Sequence, residues 1–384
     1  MKKTLLFIIV AAMSLLMAAP LFAGGEKEQP KPAAPAEAPA KEPEKAPAVQ
    51  LPTAANPIRL GIVIPGALGD SPPYDSLADG ARRFALRDPR VKLVNVFEMG
   101  FDQSKWTEKF VAFAASGKYD VVYTSNEALG AMIVAASKQV PNVKFIINDC
   151  YVKGSDRIFS SFLNKFQQGY LYGYMMALIS SSSMKGANAD KKIGLVYGQH
   201  YSTLDELIVP GIEAGARAVD PAFEVKTVML GNWFDAKKAE ALANSLIDAG
   251  VDVIGSIAGS GNAGVIRAAV NRGILMVYFD TASFDKAPGT IVGTVTAENG
   301  DLVMKNLMNL VEGKIAWGVP EVLGASQGYI SVPLRAPGYV TTVPEDLRKL
   351  FEAEFDKVVS GERNLPVPQA VLDKINTASW AAGN

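Results

Sequence analysis

Between residues 58 and 65 the chain reads Ile-Arg-Leu-Gly-Ile-Val-Ile-Pro, a short run in which nearly every side chain is apolar or absent. A run of this kind, apolar at consecutive positions, reads as a strand buried on both faces of a parallel sheet. Residues 74–86 then carry helical spacing, 91–97 a strand, 104–116 a helix, 121–123 a strand, 128–139 a helix and 144–147 a strand. A long apolar helix over 166–179 and a polar loop over 180–190 follow, and the alternation restarts. Strands over 192–198, 224–230, 251–257 and 274–279 alternate with helices over 204–219, 236–249 and 264–272. Repeated β-α-β predicts doubly wound, mostly parallel sheets. Its repetition predicts an α/β fold of two lobes with a hinge and a cleft between them. The first lobe is expected over 58–160 and the second over 161–290, with hinge return strands and a C-terminal helix over 291–384. Crossings between lobes are expected near 152–162 and 280–293, and a closing helix over 347–360.

The first 57 residues do not share this pattern. Met1, Lys2 and Lys3 precede an apolar stretch over 4–20, and Leu21-Phe22-Ala23 leads into Gly24-Gly25. This reads as a secretory signal peptide over 1–23, removed on export. The alternative, a retained membrane anchor, needs a longer apolar run. Residues 24–57 are rich in Pro, Ala, Glu and Lys and have few apolar anchors, which predicts a disordered linker. The mature protein is expected in the periplasm or cell envelope. Cys150 is the sole cysteine, so there is no lipobox cysteine at the cleavage site.

Composition narrows the chemistry. In 384 residues, 38 Lys and Arg stand against 39 Asp and Glu, a balance that argues against nucleic acid as a partner. A single His and a single Cys leave little for a metal site and no internal disulfide. A hydrolase built on Ser-His-Asp would depend on His200 alone, which reads better as a polar rim residue. No catalytic residue, cofactor or metal is expected.

Ligands of open parallel sheets sit beyond the carboxyl ends of the strands. The residues after the predicted strands include Asp70, Ser71 and Tyr74, then Asn126, Asp149, Trp233, Gly259, Ser260 and Asp280. The set holds acids, amides, hydroxyls and aromatics and no Lys or Arg. Carboxylates accept paired hydrogen bonds from a diol, and Tyr and Trp stack on flat rings. A phosphorylated ligand would call for cations or a glycine-rich nest. The inventory therefore suits a neutral, ring-bearing, hydroxylated solute. Each residue also has a structural reading: Asp70 as a helix N-cap, Gly259-Ser260-Gly261 as a tight turn, Trp233 as packing, and Asp149 and Asp280 as caps or backbone partners. Tyr74, preset by Pro72 and Pro73, is expected to face Trp233 across the cleft, with Trp106, Trp317 and Trp380 away from it.

Several segments resemble the basic membrane protein family, the purine-nucleoside-receptor type of ABC-transporter substrate-binding protein. They are Ala258-Gly259-Ser260-Gly261-Asn262-Ala263-Gly264, Gly231-Asn232-Trp233-Phe234-Asp235, Phe145-Ile146-Ile147-Asn148-Asp149, Gly169-Tyr170-Leu171-Tyr172-Gly173 and Pro210-Gly211-Ile212-Glu213-Ala214-Gly215. The resemblance covers roughly 58–332. It departs in the first loop, where Pro72-Pro73-Tyr74 stands in place of Ser-Phe-Asn, and in the late loop over 294–298, where the family carries a Lys. It implies a periplasmic-binding-protein-like fold, ligand contacts at Asp70, Asp149, Trp233, Gly259 and Asp280, and a monomer that delivers a small molecule to an ABC permease. The ligand implied is a purine nucleoside, with riboflavin as the alternative. A nucleoside-processing enzyme or a sensor lobe are the competing readings.

Overall fold

The computed structural model describes residues 51–375. The expected signal peptide, the linker as far as residue 50 and Trp380 lie outside the described residues.

Strand β1 (Ile58–Ile64) shows how the apolar runs are used. Leu60, Ile62 and Ile64 enter one core while Val63 enters the core on the opposite face. Such a run is stable only where helices cover both sides of the sheet. Helix α1 (Pro72–Arg87) opens on two prolines, whose fixed φ suits a first turn, and buries Leu77, Ala81 and Phe84. The winding continues through β2 (Val91–Glu98), α2 (Trp106–Ala115), β3 (Val121–Ser125), α3 (Gly130–Gln139), β4 (Lys144–Asn148) and β5 (Ile158–Leu163). Helix α4 (Lys165–Ser180) leads into a second unit of the same design. It comprises β6 (Lys192–Tyr197), α5 (Val209–Val219), β7 (Glu224–Met229), α6 (Ala236–Asp248), β8 (Val253–Ile257), α7 (Asn262–Arg272), β9 (Leu275–Asp280) and β10 (Ile291–Ala297). Helix α8 (Asn299–Val311) then returns to the first lobe, where Val303 and Leu307 join the core of Leu77 and Phe84. The chain ends with β11 (Glu321–Leu323), β12 (Ile330–Ser331), α9 (Pro337–Val340), α10 (Glu345–Ser360) and α11 (Gln369–Ile375).

The two six-stranded sheets have the orders β11-β5-β4-β3-β1-β2 and β12-β10-β9-β8-β6-β7. The pairings are parallel, save that of β12 with β10. The chain thus passes between lobes after β5, after β10 and between β11 and β12. This differs from the expected crossings: residues 158–163 are a strand of the first sheet, and the second sheet extends past residue 290 through β10. Buried hydroxyls disguised both strands. Ser160 and Ser161 are fully buried in β5; Ser160 accepts from the Val152 N–H, and Ser161 donates to Glu321 Oε1 at 2.6 Å. In β10, Thr294 donates to the Thr281 carbonyl at 2.8 Å. A buried hydroxyl with such a partner is tolerated, but the partner comes from elsewhere in the chain. Among the described residues no helix is long and apolar enough to cross a membrane.

Candidate ligand-binding cleft

The carboxyl ends of β1, β3 and β4 in one lobe and of β6, β8 and β9 in the other open onto one cavity of about 700 Å³. Asp70, Ser71, Tyr74, Asn126 and Asp149 line it from the first lobe, and Trp233, Gly259 and Asp280 from the second. Ser260 does not line it. The turn Gly259–Gly261 carries that side chain to the surface, where its hydroxyl donates to the Trp233 carbonyl at 3.4 Å. Ser71 occupies the N-cap position of α1, so Asp70 lies one residue outside the helix rather than capping it.

Three lining residues have positive φ without being glycine: Asn126 at 122°, Asp149 at 52° and Asp280 at 70°. Asn and Asp tolerate this region best, yet such residues still carry strain of about 1–3 kcal/mol, which clusters at functional sites. Each stands where a strand ends, and the unusual backbone accompanies a side chain lining the cavity. Asn126 is occupied at both ends of its amide. Its oxygen accepts from the Ala128 N–H at 2.8 Å, and its Nδ2 donates to the Tyr74 hydroxyl at 2.6 Å. Asn126 therefore positions Tyr74, whose phenol burial pushes upward in pKa, against the Asn126 bond and with the help of Asp149.

The charge at the centre was not foreseen. Lys165, whose side chain is 8% exposed, places Nζ 3.6 Å from Asp149 Oδ1 and 3.3 Å from Asp280 Oδ1. The same ammonium donates to Gln168 Oε1 at 3.0 Å, and Gln168 Nε2 donates to Asp280 Oδ1 at 2.8 Å. Asp149 is less well satisfied: Ser125 Oγ reaches its Oδ2 only at 3.5 Å, and its buried Oδ1 makes no hydrogen bond. Burial lifts the Asp149 carboxyl above the usual range, Lys165 opposes this, and Asp280 adds to it. Burial pulls the Lys165 ammonium down, but the two carboxylates outweigh it and hold its pKa above the ordinary value. The strand-end inventory without Lys or Arg is therefore corrected. Asn164 caps α4 by accepting from the Gln167 N–H at 3.0 Å, which puts Lys165 in the first turn, directly after β5. The signal was the pair of apolar residues at each end of Ile158–Leu163: read as a strand, the segment adds Asn164 and Lys165 to the strand-end residues.

Aromatic rings stand on both sides. Trp233 lies flat against the end of β6 because residue 198 is glycine; a Cβ there would sit 2.4 Å from the indole. Its Nε1 donates to Gln199 Oε1 at 2.8 Å, and the Tyr201 ring lies 6.0 Å away. Gly259, at φ 57°, passes so close that a Cβ would meet the Trp233 carbonyl at 2.6 Å. Trp106, expected away from the cleft, also lines it, its Nε1 donating to the Gly100 carbonyl at 2.7 Å. Trp317 instead lies under Lys144, 4.3 Å from its ammonium. His200 stands at the exposed rim, its Nδ1 2.9 Å from Asp205 and its Nε2 3.1 Å from the Tyr197 hydroxyl.

Two further contacts between the lobes were not foreseen. The Glu127 carboxylate accepts from the Thr203 N–H at 3.0 Å and from the Thr203 hydroxyl. The exposed rings of Phe101 and Phe234 meet at 6.4 Å. Among the described residues, no group of three or more His, Cys, Asp or Glu side chains is arranged to hold a metal ion.

Comparison with known proteins gives this geometry a context. A crystal structure of an ABC transporter solute-binding protein from Aeropyrum pernix K1 matches with a TM-score of 0.70 at 20% identity, over 84% of this chain and 99% of that one. The likeness shows the two-lobed periplasmic-binding-protein fold. A purine-binding protein of Brucella abortus (strain 2308) is 27% identical over 316 residues, 80% of this chain and 82% of that protein. Basic membrane protein B of Borrelia garinii subsp. bavariensis is 24% identical over 289 residues, 70% of this chain and 78% of that protein. The profile of the family described as ABC transporter substrate-binding protein PnrA-like matches residues 58–365, which take in both sheets and every cleft residue described above, and the chain belongs to that family.

Proposed function

We propose that the protein is the exported receptor of an ABC importer, enclosing a purine nucleoside between its lobes and delivering it to a permease. The carrying observation is the opposed pair Asp149 and Asp280 beside the aromatic side chains Tyr74 and Trp233 in one cavity. Carboxylates in a cleft that also presents aromatic rings suit ribose hydroxyls or ring N–H donors, while the ring faces suit a purine. The cavity of about 700 Å³ falls within the range of small-molecule sites, roughly 300–1,000 Å³. The name of the Brucella relative supports a purine as the ring. Binding and release, rather than turnover, agree with the family, and a monomer in the periplasm or cell envelope completes the reading.

The test is to purify the protein from its host, denature it and identify the released molecule by mass spectrometry. Thermal shift with guanosine, adenosine, inosine and riboflavin complements it, since a ligand raises stability as RT ln(1 + [L]/Kd). Stabilisation by inorganic phosphate or amino acids alone would overturn the proposal. The second reading, riboflavin, is favoured by the additional rings of Trp106 and Tyr201 in the cavity wall, which suit a larger flat system. A response to riboflavin alone would put it first.

A further inference from the structure

Among the described residues that line the cavity, Lys165 is the one Lys or Arg against five carboxylates: Asp70, Asp102, Glu127, Asp149 and Asp280. It does not stand at the rim, where a cation would meet ligand and solvent alike. Its ammonium is buried on the first turn of α4, 3.3 Å from the acid of one lobe and 3.6 Å from the acid of the other. The Gln168 amide links it again to Asp280 through bonds of 3.0 and 2.8 Å. The bridge is longer to Asp149, whose Oδ1 faces the ammonium at 3.6 Å and makes no hydrogen bond.

We propose that Lys165 determines the charge of the ligand, acting as the built-in counter-ion of Asp149 and Asp280 so that the cleft takes an uncharged donor-rich molecule in preference to a cation or a phosphate. Two mostly buried carboxylates held around one point demand a cation, because charges largely out of water are strongly disfavoured when unpaired. If the protein did not supply the cation, the ligand would have to. With Lys165 in place the demand is met from within the protein, and the ligand need not bring a cation. The surplus of acids around them repels phosphate, so a nucleoside enters and its monophosphate does not. The inference rests on the receptor reading of the cleft, and the following experiment separates the two.

Wild type, Lys165→Ala and the isosteric Lys165→Met are compared by thermal shift and calorimetry with adenosine, guanosine, AMP and the cationic 5′-amino-5′-deoxyadenosine. Without any nucleoside, propylammonium, which replaces the deleted atoms, should stabilise Lys165→Ala, while 1-propanol should not and wild type should not respond. Both variants should bind adenosine or guanosine roughly ten- to a hundredfold more weakly, and the ratio of cationic to neutral nucleoside affinity should rise by about tenfold. Propylammonium should restore neutral binding to Lys165→Ala, which a packing role would not do. AMP should fail to bind wild type. Failure of wild type to bind any nucleoside, with propylammonium rescue intact, would overturn the receptor reading and leave the counter-ion standing. Absence of rescue, an unchanged affinity ratio in Lys165→Met, or AMP binding wild type as well as adenosine does would each overturn the counter-ion proposal. Lys165→Met serves as the second variant should Lys165→Ala not fold.

Discussion

Asp149 shows at the scale of one residue how binding and stability are opposed. It sits at positive φ, mostly buried, with an unbonded oxygen, and burial lifts its pKa above the usual 3.8 against the pull of Lys165. A carboxyl with a higher pKa folded than unfolded contributes most to stability below its unfolded value and loses that contribution as pH rises through the folded value. Asp149→Asn should therefore raise the melting temperature of the ligand-free protein at pH 7, and less so near pH 4. The same variant should bind ligand about ten- to a hundredfold more weakly, since it loses a charged acceptor. Melting and calorimetry on one preparation check both; a variant that melts no higher at pH 7 and binds normally would leave Asp149 a structural residue. The acid was legible because it ends an apolar strand. Its partner Lys165 was not, because the strand before it contains Ser160 and Ser161, the latter bonded to Glu321 160 residues along the chain.

At the scale of elements, α4 and α5 meet backbone to backbone. Gly169 and Gly173 lie on one face of α4, and Gly211 and Gly215 on one face of α5, at the spacing that aligns successive turns. A Cβ at Gly215 would lie 1.9 Å from the Tyr170 carbonyl oxygen, and one at Gly173 would lie 2.1 Å from that of Ile212. Even one methyl group would have to force the helices apart. Gly215→Ala is expected to destabilise the protein by about 1–3 kcal/mol, read as a lower urea midpoint with an unchanged slope. Because α4 begins at Lys165, the same contact anchors the helix that brings the cation to the cleft. Both glycine pairs are visible in the sequence as small residues four apart; their facing each other is not. Ahead of α5 the expected helix over 204–219 opens to a wide π turn over Leu204–Ile208, upstream of Pro210, which lacks an N–H to continue the ladder.

At the scale of the molecule, Glu127 and Thr203 join the lobes beside the cavity. Hinge closure is the usual motion of such receptors, and a bond present only between lobes favours the closed arrangement. Glu127→Ala should enlarge the radius of gyration of the ligand-free protein in solution scattering and weaken ligand binding by about tenfold, with saturating ligand restoring the compact form. An unchanged radius and affinity would mean that the contact does not bias closure.

Periodicity and composition along the chain were sufficient for the α/β class, the repeated β-α-β grammar and the acids and aromatics at the strand ends, because apolar runs and their terminators are local. The strands β5 and β10, the return of α8 and the three crossings needed the folded chain. Ser161 is at home in a sheet only because Glu321 and Asn306 reach it, the latter at 3.0 Å across 145 residues. Lys165 is at home between two lobes only because strand ends 16 residues before it and 115 after it bring carboxylates to its ammonium. Hydrophobic periodicity is written residue by residue, whereas the satisfaction of a buried polar or charged group depends on partners that only tertiary structure brings within reach.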